Sequence, residues 1–440
     1  MRFARLRSGT GFFRGASGRL GHLGACALVC FFVLNTTLGA AAEFCGYVSD
    51  GPGGTLTAVD LPEARFRYRI PVVPAWDFAA RSCVGSQDEQ RLWCGVSRIY
   101  RPLDQFDMSP VLGEAEDPLA VVVVDVAAAR KSGQLPFRAF ELVVATGGQA
   151  LVASHAEPLA VVYEVAAGTI RHTIPIPGSL ASLASSPRGD RVYATYANWE
   201  NGDSDGSSPW LAAIDLESAQ TVAAVELPRA ERPELDYPYQ IVGVDGLDQV
   251  YLARARQARL EVVDGARGQH TASLELGGQP LALLDRADGL AVYVRNERGN
   301  ECGISLVSLP ELEMLATRTT ERCVGWLRVS PERDWVVASL GDSLVVWTSD
   351  LASELGRTEA TAAVYPAAIV RGGCPLAEPC VGDCDANGTV TVDEVIRAVN
   401  IVVEILPKER CLAADSSGDW RISVDEVVKA VRNLLHGCSG

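Results

Sequence analysis

Lysine, histidine and long apolar runs are scarce in this chain. Its 440 residues include five histidines and only three lysines, Lys131, Lys408 and Lys429, and acids outnumber Lys plus Arg by 55 to 39. A formal charge of -16 repels phosphate backbones, which excludes sequence-independent nucleic-acid binding. Only one segment, Ala25 to Leu34, is continuously apolar, and it is shorter than the ~20 residues a spanning helix requires. A polytopic membrane protein is excluded, and no stable membrane span is expected. There is no Gly-x-Ser-x-Gly elbow, phosphate-cradling loop or dinucleotide fingerprint. His155, His172, His270 and His436 occupy unrelated contexts, so no histidine metal cage is expected. The missing motifs still leave room for an enzyme assembled from dispersed carboxylates.

What is present begins with an export signal. Arg2, Arg5, Arg7, Arg14 and Arg19 precede the apolar run, which is followed by the small residues Gly39 to Ala42. This order predicts a secretory signal peptide over residues 1–42, cut after Ala42. The cysteines beyond it are Cys45, Cys83, Cys94, Cys302, Cys323, Cys374, Cys380, Cys384, Cys411 and Cys438. An even number in an exported chain predicts up to five disulfides. Cys83 and Cys94 flank the turn Gln87 to Gln90 symmetrically and are expected to face each other across a hairpin. Cys380 with Cys384 is the only close pair, which argues against zinc.

Residues 43–372 read as one all-β domain of short β-branched runs separated by Gly, Pro, Asp and Asn. A phrase recurs seven times, an apolar strand ending in a polar residue. It appears as Leu56 to Asp60, Val122 to Asp125, Val161 to Glu164, Ala213 to Asp215, Val262 to Asp264, Leu306 to Ser308 and Val345 to Ser349. After a first gap enlarged by the insertion Arg101 to Glu116, the copies recur at the ~40–50 residues of a four-stranded propeller blade. Between phrases stand turn-then-strand segments such as Ser186 to Tyr193 and Ser330 to Val336, which resemble bacterial YVTN-type propeller repeats. A seven-bladed β-propeller is expected, with six or eight blades or a β-sandwich pair as the alternatives; Phe44 to Val48 and Ala362 to Val370 are candidates for the closing strands and Cys45 to Cys374 for their tie. Arg188-Gly189-Asp190 sits where the repeat needs a turn and is read as turn chemistry. The loop Asn198 to Trp210, acidic and flanked by tryptophans, is read as a hairpin tip, with sugar or cation binding as the alternative.

Beyond a linker at 373–382 the pattern switches to loop plus helical period over 383–440. Residues 383 to 394 match a twelve-residue EF-hand calcium loop position by position. Calcium seeks six to eight oxygens, and Asp383, Asp385, Asn387, Thr389, Thr391 and Glu394 occupy positions 1, 3, 5, 7, 9 and 12. Gly388 at position 6 permits the sharp turn. The pattern recurs with Asp415, Ser417, Asp419, Arg421, Ser423 and Glu426, but here Trp420 stands at position 6. A positive φ there costs a residue with a Cβ about 1 kcal/mol, so weaker binding is expected there, with a purely structural loop that holds no ion as the alternative. Each loop leads into an amphipathic stripe: Val392, Val395, Ile396, Val399 and Val403, then Val424, Val427, Val428, Val431 and Leu435. The stripes are expected to bury against each other once calcium has neutralised the loops.

The duplicated loop-helix over residues 380–438 resembles a type I dockerin. The resemblance implies calcium binding and attachment to a cohesin-like scaffold protein or cell-surface partner, often for polysaccharide catabolism. Position 12 is Glu in both loops, where dockerins generally carry Asp, and positions 10 and 11 are Val-Asp rather than hydroxyl pairs. The expected function is a secreted bacterial calcium-binding protein, extracellular or on the cell surface. Its propeller presents a surface to a carbohydrate, small ligand or partner, and its tail stabilises or docks it. The alternative is a secreted propeller enzyme, a glycan-degrading hydrolase or lactonase-like, recruited through that tail.

Overall fold

The computed structural model describes residues 44–49, 54–73, 78–98, 120–139, 141–154, 158–198, 208–229, 239–254, 257–298, 301–359, 365–375 and 380–438. The expected signal peptide, the insertion at 101–116, His155 and residues 199–207 of the acidic loop lie outside the described residues. Among those described, 28 strands form seven four-stranded antiparallel sheets. The seven recurring phrases become the third strand of each sheet, counted outward from the axis: Thr55–Leu61, Ala120–Asp125, Leu159–Glu164, Ser208–Asp215, Arg259–Asp264, Glu301–Leu309 and Ser343–Thr348. Their apolar runs are buried because each sheet face meets a neighbouring blade; Thr55–Leu61 is buried along its whole length.

The polar residue ending the phrase holds the next turn. The Oδ1 atoms of Asp125, Asp215 and Asp264 accept the N–H of Ala128, Ser218 and Arg267 at 2.9, 2.8 and 2.9 Å. In every blade a left-handed residue follows and turns the chain into the outer strand: Ala64, Ala129, Gly168, Ala219, Gly268, Leu312 or Leu351. The segments between phrases are the turns joining first and second strands, and Arg188-Gly189-Asp190 lies in one of them, with the Gly189 N–H donating to the Ser186 carbonyl at 2.9 Å.

The innermost strands are Phe78–Gly85, Leu142–Ala145, Ser179–Ser185, Gln240–Val244, Gln279–Arg286, Val324–Val329 and Tyr365–Arg371. Each packs on the next, and the last returns to the first, so the ring closes. Every seam between adjacent blades holds its own apolar cluster. At the seam of the last and first blades, Phe44, Val59 and Leu61 meet Trp335, Val337 and Val346, with the Phe44 and Trp335 rings edge to face at 5.4 Å. A twisted sheet has two apolar faces, and seven seams bury all of them. The closing blade pairs Phe44–Ser49 with Tyr365–Arg371, and the Cys45–Cys374 disulfide ties it. Cys83 and Cys94 are direct partners in register and are bonded. Cys302–Cys323, Cys380–Cys438 and Cys384–Cys411 complete the set.

The tail carries helix α1, Val392–Val402, and helix α2, Val424–His436, each opened by a capping box, Thr391 with Glu394 and Ser423 with Glu426. The expectation that the two valine stripes bury against each other is corrected here. Val392, Ile396, Val399 and Val403 are exposed, as are Val424, Val428 and Leu435. The inward face of α1 is Glu394, Ala398 and Ile401, and that of α2 is Glu426 and Ala430. The position-12 carboxylate must turn toward its loop, and residues four and seven further on turn in with it. The valine stripe, about 150° away on the helix at ~100° per residue, is thereby turned outward. The tail core is Cys384, Ala398, Ile401, Cys411, Ala413, Ala414 and Ile422.

Candidate metal centre

The first loop gathers three acids. One carboxylate oxygen each of Asp383, Asp385 and Glu394 lies within 4.8 Å of the others, with Asp383 and Glu394 buried and Asp385 exposed. The loop bends inward because its own amides are aimed at these acids. Asp383 accepts the N–H of Asn387 at 3.1 Å and of Gly388 at 2.9 Å. Glu394 Oε1 accepts the N–H of Cys384 at 2.7 Å, and Oε2 accepts the N–H and hydroxyl of Thr391 at 2.8 and 3.0 Å. Asn387 Oδ1 accepts the N–H and hydroxyl of Thr389 at 2.9 and 2.7 Å. Ala386 and Gly388, at positions 4 and 6, are left-handed at φ 62 and 85°.

Burial pushes the Asp383 carboxyl up to about 7, and the neighbouring Glu394 and Asp385 charges push in the same direction. Three acids held this close repel one another, and a bound cation would relieve that repulsion. The donor set fits a hard divalent ion. Asp383, Asp385, Asn387 and Glu394 would supply side-chain oxygens, Thr389 its carbonyl, and Thr391 an oxygen direct or through water.

The second loop has the same backbone, with Gly418 and Trp420 left-handed at φ 79 and 64°. Trp420 therefore adopts the conformation that its place at position 6 demands. Asp415 accepts the N–H of Gly418 at 2.8 Å and of Trp420 at 2.9 Å, and Glu426 accepts those of Ser417 and Ser423, both at 2.8 Å. Asp419 Oδ1 accepts the Arg421 N–H at 2.9 Å. Ser417 brings a hydroxyl where the first loop has the Asp385 carboxylate, so the acid triad of loop one has no counterpart here. The position-1 acid instead meets a residue of the propeller. Arg69, on the outer strand Arg65–Pro71 of the first blade, donates from Nη1 to Asp415 Oδ2 at 2.5 Å and to the Asp415 carbonyl at 3.0 Å. Both side chains are buried.

The first loop also borders the propeller. A cavity of about 30 Å³, room for about one water, is lined by Arg130 and Lys131 of the second blade and by Asp383 and Gly388. The loops thus lie against the propeller rim, and the exposed valine stripes remain open to solvent.

The described inner strands carry one carboxylate, Asp285, which pairs with Arg333 at 2.5 Å. His270 lies on an outer strand with its Nε2 2.7 Å from Glu261 Oε2. Ser273 donates to the same Glu261 oxygen and stands 3.4 Å from the same ring nitrogen. One nitrogen cannot take a proton from the serine while also being oriented by the acid, so this set is no catalytic relay. It solvates the fully buried Glu261, with Arg254 at 3.7 Å. The sequence offered no sign of this cluster, because Glu261 reads as a polar position within an ordinary strand. Trp210 stacks on Tyr196 at 6.3 Å, packing the base of its hairpin.

No protein-family model matches this chain, and no curated protein matches it. Similar solved structures include dihydro-heme d1 dehydrogenase NirN in complex with DHE, at 15% identity and TM-score 0.49, covering 74% of this chain and 75% of that one. Kuenenia stuttgartiensis hydrazine synthase is similar at 13% identity and TM-score 0.45, covering 62% and 77%. The WD40 repeats of RRP9 are similar at 10% identity and TM-score 0.47, covering 66% and 83%.

Proposed function

We propose that this is an exported calcium-binding protein in which a rigid propeller presents a binding surface and the C-terminal tail fastens the chain to a partner outside the cell. The observation that carries the reading is the buried convergence of Asp383, Asp385 and Glu394 in a loop whose remaining positions also supply oxygen. Calcium is the ion favoured by an all-oxygen set with flexible geometry. Bound there, it would supply the positive charge that the three acids need. The export reading is supported by five disulfides, which persist in oxidising compartments, and by the basic-apolar-small order of the first residues. Among the described residues no helix is long and apolar enough to cross a membrane.

The docking surface is the outward valine face of α1 and α2, and a cohesin-like scaffold protein is the partner class to which the loop-helix resemblance points. Calorimetric titration of the chelator-treated full chain with calcium tests the ion. Heat of binding that persists unchanged in Glu394→Gln would remove this reading. Capture of a cohesin-like module by the full chain, lost in Ile396→Asp, tests the face.

A further inference from the structure

The second loop departs from a calcium loop at positions 3 and 6, and at position 4 it closes on the propeller strand that carries Arg69. Ser417 removes the acid from position 3. Trp420 puts an indole at position 6, and the Arg69 guanidinium carbon lies 4.0 Å from the centre of that ring. Gly418 occupies position 4, where a Cβ would come within 2.5 Å of the Phe66 ring. Phe66 is itself 5.1 Å from the same guanidinium. The Asp415 carboxylate and carbonyl both accept from Arg69.

We propose that the second loop is a guanidinium receptor: a calcium-loop backbone whose cation is Arg69 of the first blade rather than a metal ion. Each departure then has a reason. Trp420 stacks on the planar cation, which a glycine could not do. Gly418 lets the loop approach Phe66 closely enough for Arg69 to reach Asp415. Ser417 avoids adding another acid beside Asp415, Asp419 and Glu426, which a monovalent cation would leave further uncompensated. Two further cations stand nearby: Lys429 donates to Ser416 at 2.7 Å, and Lys408 lies 5.6 Å from the Trp420 ring. The loop therefore binds the tail to the propeller permanently, and a single ion site remains in the tail. This assignment goes beyond the proposed function and holds whether or not the first loop takes calcium.

Hydrogen exchange of the full chain, read by mass spectrometry in chelator and in calcium, tests it. Amides of residues 415–420 are expected to exchange at the same rate in both media and about tenfold or more faster in Arg69→Ala. Arg69 lies in a blade, so Trp420→Leu, which alters only the tail, is the second variant and should accelerate the same amides. Calcium-dependent protection of 415–420 in the native chain, or unchanged exchange in both variants, overturns the assignment. Failure of the first loop to take calcium would appear instead at the amides of 384–388, so the two readings fail separately.

Discussion

The two loops of the tail share a backbone and differ in what neutralises them. Both carry left-handed residues at positions 4 and 6, both aim amides at a buried position-1 aspartate, and both end on a buried glutamate that caps the following helix. In loop one burial, with like charge from Glu394 and Asp385 beside it, pushes the aspartate's carboxyl up to about 7. In loop two it meets Arg69 at 2.5 Å. The contrast teaches that a twelve-residue loop of this kind encodes an oxygen-rich cradle, while the packed surroundings decide whether a protein cation reaches it.

The largest test of that contrast is to remove the same residue from each loop. Glu394→Gln should lower calcium affinity about 100-fold, about 2.7 kcal/mol, whereas Glu426→Gln should leave the calcium isotherm unchanged. Equal losses in calorimetry would erase the distinction between the loops. Next in size is position 4. Gly418→Ala should destabilise the tail by about 2 kcal/mol in denaturant unfolding, because its Cβ would lie 2.5 Å from the Phe66 ring.

A smaller effect concerns pH. Folding raises the Asp383 pKa from its ordinary 3.8 to about 7, so the folded loop holds its proton more tightly than the unfolded chain does. Without metal, that contribution to stability is complete below about pH 4 and is lost as pH rises through 7. Calcium must displace the proton, so affinity should rise about tenfold between pH 6 and pH 8. A flat profile would show that Asp383 is already ionised at pH 6 in the metal-free loop. The smallest effect is Ala386→Gly, which removes left-handed strain at φ 62°. It should stabilise loop one by up to about 1 kcal/mol, opposite in sign to Gly418→Ala.

Much of this was legible in the chain. The phrase ending in Asp at 125, 215 and 264 marks third strands because a carboxylate two or three residues before a turn caps it through the backbone. The convergence of Asp383, Asp385 and Glu394 in loop one was legible for a similar reason: their spacing is local. The helix stripes were read correctly as stripes but assigned to the wrong side. Periodicity shows that Val392, Ile396, Val399 and Val403 share a face, and only the inward pull on Glu394 shows which way that face looks. Arg69 was invisible to sequence reasoning, since its strand alternates arginines with apolar residues like any outer strand and its partner lies 346 positions away.

The order of residues alone therefore determined the repeating blade, the closing disulfide and the oxygen cradle, all of which depend on neighbours along the chain or on a period. The tertiary structure decided that Arg69 sits at the second cradle and which helix face stays exposed. Those outcomes depend on what the packed propeller brings to the tail, and no local pattern of residues contains that information.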